Sequence, residues 1–249
     1  MSPLNKRLSE DMMKKLCFGL ALCSLLFACS KEDATLSVTN KSIAGTWVVE
    51  KYVEKVVRAD GTSETGEFTE EVDPSYAYIF YSDGTGFERL SENEFYRVRY
   101  TTGSNRLTVT YLDAESGGDA LEFVVKGLTD SKMTLETSES EAGETFTASA
   151  TFRKAHPGII SFSDLVGKWA VGSENQIWEI HKDGTCKESV SFMALSYTID
   201  YTIKLDAHKL ILSASGNTVI YEVLCFGKDD IQIMSEKGNK PTPLIRMKD

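Results

Sequence analysis

Chemistry-bearing residues are few in this sequence, and their spacing assembles no catalytic set. The three histidines are His156, His181 and His208. None sits in an HExxH, CxxC or nucleophile-elbow pattern, and no phosphate-binding glycine loop or dinucleotide fingerprint occurs. Glu64, Glu67, Glu70, Glu71 and Asp73 are dense enough to suggest calcium. They lack the glycine and the regular alternation of an EF-hand loop, so they read as a solvated acidic loop. Tyr76, Tyr78, Phe80, Phe95, Tyr96, Tyr100 and Tyr111 could line a ligand or glycan site, but at strand spacing they read first as core. The expectation is a protein that is not an enzyme and holds neither cofactor nor metal.

One residue does carry specific chemistry. "MMKKLCFGLALCSLLFAC" opens with the basic pair Lys14–Lys15 and continues as an apolar run of about twelve residues, Leu16 to Phe27. That is too short to span a membrane and suits a secretory signal, with Met12 or Met13 as the expected start. Leu26-Phe27-Ala28-Cys29 resembles the lipobox of bacterial lipoproteins. The resemblance implies that the Cys29 sulfur takes a diacylglyceryl group and that cleavage falls just before it. Several acyl chains on one cysteine anchor firmly, since each buried CH₂ contributes about 0.8 kcal/mol. Ser30-Lys31-Glu32-Asp33 resembles the short anionic export signal of Bacteroidota surface lipoproteins. The expected location is therefore the outer membrane, lipid-anchored at the cell surface, with the periplasmic face as the alternative. The polar stretch that follows reads as a tether.

Composition agrees with export. Loss of residues 1–28 removes Lys6, Arg7, Lys14 and Lys15 but only Glu10 and Asp11, leaving the mature chain more acidic than the formal −10 of the full sequence. An acidic chain without a basic stripe repels nucleic acid, so none is expected as a partner. Of five cysteines only Cys186 and Cys225 lie in the part expected to fold, and they read as buried free thiols, with one disulfide as the alternative.

The elements come in two copies. Ile43-Ala44-Gly45-Thr46-Trp47 matches Leu165-Val166-Gly167-Lys168-Trp169, and Ser82-Asp83-Gly84-Thr85 matches Lys182-Asp183-Gly184-Thr185. "NRLTVTY" from Asn105 matches "HKLILSA" from His208, and "LEFVVKGLTDSKMTLE" aligns without a gap on "VIYEVLCFGKDDIQIM". The closing "TFRK" at Thr151 meets "LIRM" at Leu244. Both copies are runs of β-branched and aromatic residues between turns, including Lys228-Asp229-Asp230, and each Asp-Gly pair predicts a type I′ hairpin. The class is all-β. The division is 1–28 signal, 29–41 lipidated Cys and tether, 42–154 first barrel, 155–161 linker around Pro157-Gly158, and 162–249 second barrel, the two folding separately.

These landmarks resemble the lipocalin-like domains of Bacteroidota lipoproteins, with their "L-x-G-x-W" opening, "F-x-x-D-G-T" hairpin and last-strand Arg. The resemblance implies tandem small antiparallel up-and-down barrels. It implies that Gly45 and Trp47 with Arg153, and Gly167 and Trp169 with Arg246, close one end of each. A guanidinium over an indole contributes about 0.5–2 kcal/mol, so these six residues are expected to plug barrels rather than bind ligand. Trp178 lacks the Gly-x-Trp setting, and its loss is expected to be milder. An eight-stranded barrel this small fills itself or admits one small ligand. The expected function is a binding module for a small apolar ligand or glycan, and the first barrel is the expected holder because residues 51–75 could roof it. The alternative is a pair of filled barrels whose loops meet a partner protein.

Overall fold

The computed structural model describes residues 37–68, 75–112, 120–141, 143–156, 161–193, 195–225, 231–238 and 240–248. Cys29 with its signal and export residues, Glu70, Glu71, Asp73, Pro157-Gly158 and the turn at Lys228-Asp229-Asp230 lie outside them.

The described residues are mostly strand, arranged as two closed eight-stranded antiparallel barrels in tandem. The first runs from a one-turn helix α1 (Asn40–Ile43) through β1 (Gly45–Val57), β2 (Ser63–Phe68), β3 (Ala77–Phe80), β4 (Thr85–Ser91), β5 (Glu94–Gly103), β6 (Arg106–Tyr111), β7 (Ala120–Leu128), β8 (Lys132–Glu141) and β9 (Glu144–His156). The long β1 pairs along its length with β9 and so closes the ring. Its first half pairs with β3, and its second half carries β2 as an added hairpin. The second barrel follows a matching helix α2 (Phe162–Leu165) with β10 (Gly167–Val171), β11 (Ser173–Ile180), β12 (Thr185–Phe192), β13 (Leu195–Asp206), β14 (Lys209–Ala214), β15 (Asn217–Cys225), β16 (Ile231–Ser235) and β17 (Pro241–Arg246), where β17 returns to β10.

The Asp-Gly hairpins form, with a different turn from the one expected. Gly84 and Gly184 take positive φ (85° and 81°), but Asp83 and Asp183 do not, so neither turn is type I′. Each closes as a three-residue loop whose glycine makes the left-handed step, with Gly84 N–H donating to Tyr81 and Gly184 N–H to His181. The aspartates serve the turn through their side chains. Asp83 Oδ1 accepts from Thr85 N and Oγ1 at 3.0 and 2.6 Å, and Asp183 repeats this with Thr185 at 3.0 and 2.7 Å.

Each barrel has its own interior cluster, around Trp47, Tyr78, Phe80, Tyr100 and Phe152 in the first and around Trp169, Trp178, Ile180, Leu210 and Ile233 in the second. A third cluster joins them, which the expectation of separate folding did not include. Ala77, Ile79, Tyr81, Phe87 and Phe95 on the outer face of β3–β5 bury against Leu224 and Met234 of β15 and β16. Arg97 sends Nε and Nη2 to Glu222 Oε2, each at 3.0 Å, and Nη2 also reaches Ser235 O at 3.0 Å. Tyr81 donates to Val223 O at 2.8 Å, and its ring stacks on His208 with centroids 3.7 Å apart.

That stack makes the joint sensitive to pH. Burial holds the His208 pKa below its usual 6.5, opposed by Asp83 3.7 Å away and aided by Lys209. A base with a depressed folded pKa stabilises the joint above pH 6.5 and loses that contribution as pH falls. Buried Glu222, whose pKa burial raises despite Arg97, acts in the opposite sense above its usual 4.5. Thermal melts of the parent and His208→Gln between pH 7.5 and 5.5 separate the two, since the His208 part should vanish in the variant. Identical pH profiles would show that His208 does not titrate in the joint.

Candidate ligand-binding site

The closed end of each barrel is built in the same way. Trp47 Nε1 donates to Ile43 O at 2.7 Å and Trp169 Nε1 to Leu165 O at 2.7 Å, so each indole hangs from the helix before its strand. The helices are held by side chains at their start. Thr39 and Ser42 exchange hydrogen bonds at the first, and Ser161 N–H donates to Asp164 Oδ2 at the second. Gly45 and Gly167 take φ of 145° and 133°, and a Cβ would stand 2.9 Å from Lys154 Cε and Arg246 Nη1 respectively. Only glycine suits both the angle and the approach.

The cation over the first Trp is Lys154 and not Arg153. Lys154 Nζ lies 4.6 Å from the Trp47 ring centre and donates to Ala44 O at 2.9 Å, whereas exposed Arg153 meets Glu50 at 3.3 Å. The reason is a one-residue slip. Phe152 faces inward as Leu244 does, so Arg153 matches outward Ile245, and Lys154, the partner of Trp47, matches Arg246, the partner of Trp169. Arg246 stands 4.1 Å over Trp169 and donates to Val166 O and Asp164 O at 3.0 and 2.6 Å.

A second repeated device lies deeper. Three residues after each Asp-Gly-Thr comes a glutamate, Glu88 or Glu188, pointing into its barrel. Tyr76 and Tyr111 donate to Glu88 at 2.6 and 2.7 Å. Burial raises the Glu88 pKa, and these hydroxyls pull it back. In the second barrel, Glu188 Oε1 accepts from Gln176 and from Trp178 Nε1, the latter at 3.1 Å, and Oε2 accepts from Tyr201 at 2.8 Å. Trp178 is thus as deeply buried as Trp169 and hydrogen-bonded at its indole nitrogen.

The surroundings of the two carboxylates differ. Glu88 is 1% exposed, and Tyr76 and Tyr111, which donate to it, are buried with it. Glu188 is 8% exposed, and the strands carrying it run on past it. Register places Glu188 opposite Ile199, Val190 opposite Tyr197, and Phe192 opposite Leu195, all on the barrel's inner face. There Phe192, Leu195 and Tyr197 are 65%, 76% and 56% exposed, and Val219, the inner-face partner of Leu212, is exposed as well. An exposed apolar inner wall leads down to a hydrogen-bonded carboxylate.

Sequence reasoning missed this site and favoured the first barrel. Of the residues expected to roof it, 51–68 supply the end of β1 and the β2 hairpin, where Glu64 pairs with Arg58 and Glu67 with Lys51. Tyr76, Tyr78, Phe80, Tyr100 and Tyr111 are core, Tyr96 packs against it, and Phe95 belongs to the joint. Cys186 is a buried free thiol inside the second barrel, its pKa pushed up to about 12 by burial. Among the described residues, no group of three or more His, Cys, Asp or Glu is placed to hold a metal.

No known protein family matches the chain, and no curated protein does. Among solved structures, a lipocalin-like protein from Bacteroides uniformis is 20% identical, covers 45% of this chain and 98% of its own, and superposes with a TM-score of 0.29. An uncharacterized protein from Bacteroides eggerthii gives 19%, 45%, 98% and 0.28. A protein of unknown function from the DUF3598 family of Nostoc punctiforme gives 13%, 85%, 100% and 0.23.

Proposed function

We propose that the protein is a non-catalytic binding module, anchored through Cys29 to the outer membrane at the cell surface, whose second barrel takes a small ligand with an apolar body. The observation that carries this reading is the exposed inner wall of Phe192, Leu195 and Tyr197 above Glu188. Large apolar side chains rarely stand together on an inner barrel face unless something covers them. The first barrel, filled by its own aromatics, is the scaffold against which the second is docked.

Titration with a neutral decyl-chain probe, followed by tryptophan fluorescence, tests the site. Trp178 sits against Glu188 and should report occupancy. Phe192→Ser with Leu195→Ser should weaken binding at least tenfold, since each lost apolar contact is worth about 1.5–3 kcal/mol. Parent-like affinity in that variant would place the probe elsewhere.

Anchoring is tested separately. Cys29→Ala should abolish metabolic labelling with lipid and shift the chain out of the membrane fraction. A labelled, membrane-bound Cys29→Ala protein would sink the anchor.

A further inference from the structure

Resting on the reading of the second barrel as a ligand site, we infer that its ligand is a cationic amphiphile, an apolar chain ending in an ammonium or similar multi-donor head group that sits on Glu188. The inference comes from what surrounds that carboxylate. Its partners are Gln176, Trp178 and Tyr201, all neutral. Among the described residues, the inner-face positions of β12–β15 hold no Lys or Arg, and no ion pair involves Glu188. Arg246, a cation at the closed end, is committed to Trp169 and the backbone there.

A carboxylate offers about four acceptor sites, and three of Glu188's are used. A buried charge without a counter-charge is costly, and a cation delivered by the ligand removes that cost. Tyr201 and Tyr221 stand beside Glu188 half-buried, and their ring faces favour an ammonium. The β12–β13 wall above carries Val190, Phe192, Leu195, Tyr197 and Ile199, none of them charged, with Gln176 beside Val190, so the charged end belongs at the floor and the chain at the rim. The chain's formal charge of −10 draws cations toward it from solution. An anionic head group would meet Glu188 with no donor of its own and would be excluded.

Calorimetric titration below micellar concentration with decylammonium, decanol and decyl sulfate decides the matter. Decylammonium should bind about tenfold or more tighter than decanol, and decyl sulfate weakest, as expected for a charge-assisted hydrogen bond. Glu188→Gln should remove the preference for the amine, so that decylammonium and decanol bind alike. Asp200→Asn, on the outer face opposite Lys187, controls for bulk charge and should keep the preference. Binding of all three with equal affinity, or a preference that survives Glu188→Gln, overturns the head-group inference and leaves the apolar site standing. Failure of all three to bind overturns the site itself.

Discussion

Trp47→Ala should remove the first barrel's fold and lower the melting of the second as well. Trp47 is fully buried, hangs from Ile43 O and carries Lys154 on its face, so truncation opens a cavity and strands a half-buried ammonium. A buried Trp to Ala typically costs about 3–5 kcal/mol, a large share of a small domain's total of about 5–15 kcal/mol. The effect spreads because Leu224, Met234 and His208 are covered by the first barrel. Trp169→Ala should act reciprocally. Differential scanning calorimetry reads both. A second-barrel transition unchanged by Trp47→Ala would show that the joint contributes nothing to stability.

The second large effect is expected at the joint's ion pair. Arg97 and Glu222 are mostly buried, with side-chain exposures of 20% and 12%. Arg97→Ala leaves Glu222 without its donor and takes one of two donors from Ser235 O, and should cost about 2–3 kcal/mol. Replacing both partners, Arg97→Met with Glu222→Leu, should restore much of the loss, because no charge is then left unpaired. A double variant as unstable as Arg97→Ala would mean that the arginine acts through packing on Phe87, 5.6 Å from its guanidinium.

What was legible in the sequence follows from which signals survive a one-residue error. The two copies, the strand class and the Gly-x-Trp openings rest on spacing and residue type, and the structure places Gly45, Trp47, Gly167 and Trp169 in equivalent settings. Arg153 failed because face is decided by parity, and "TFRK" laid on "LIRM" slips readily by one without losing its look. The joint did leave a trace. Ala77 to Phe80 is buried at every position, and "YAYIFY" is an unbroken apolar run. Such a run signals burial on both faces. Alternate residues go inward to the core and outward to Leu224 and Met234.

The site was hidden for a different reason. Asp-Gly-Thr-x-x-Glu recurs at 83–88 and 183–188, so the inward glutamates were findable from the repeat. Whether each is sealed or open depends on how far neighbouring strands extend, which residue type does not encode. "SVSFMALSYT", Ser189 to Thr198, is uncharged in a chain that is 26% charged. Read as a strand pair it looks like core, and only its length beyond the ring exposes Phe192 and Leu195.

Native mass spectrometry of the protein purified from its own host tests the central claim most directly. The account predicts one small amphiphile per chain beyond the lipid on Cys29, retained in the parent and absent from the Phe192→Ser, Leu195→Ser variant. A parent chain of bare lipidated mass, or an adduct that the variant keeps, would contradict it.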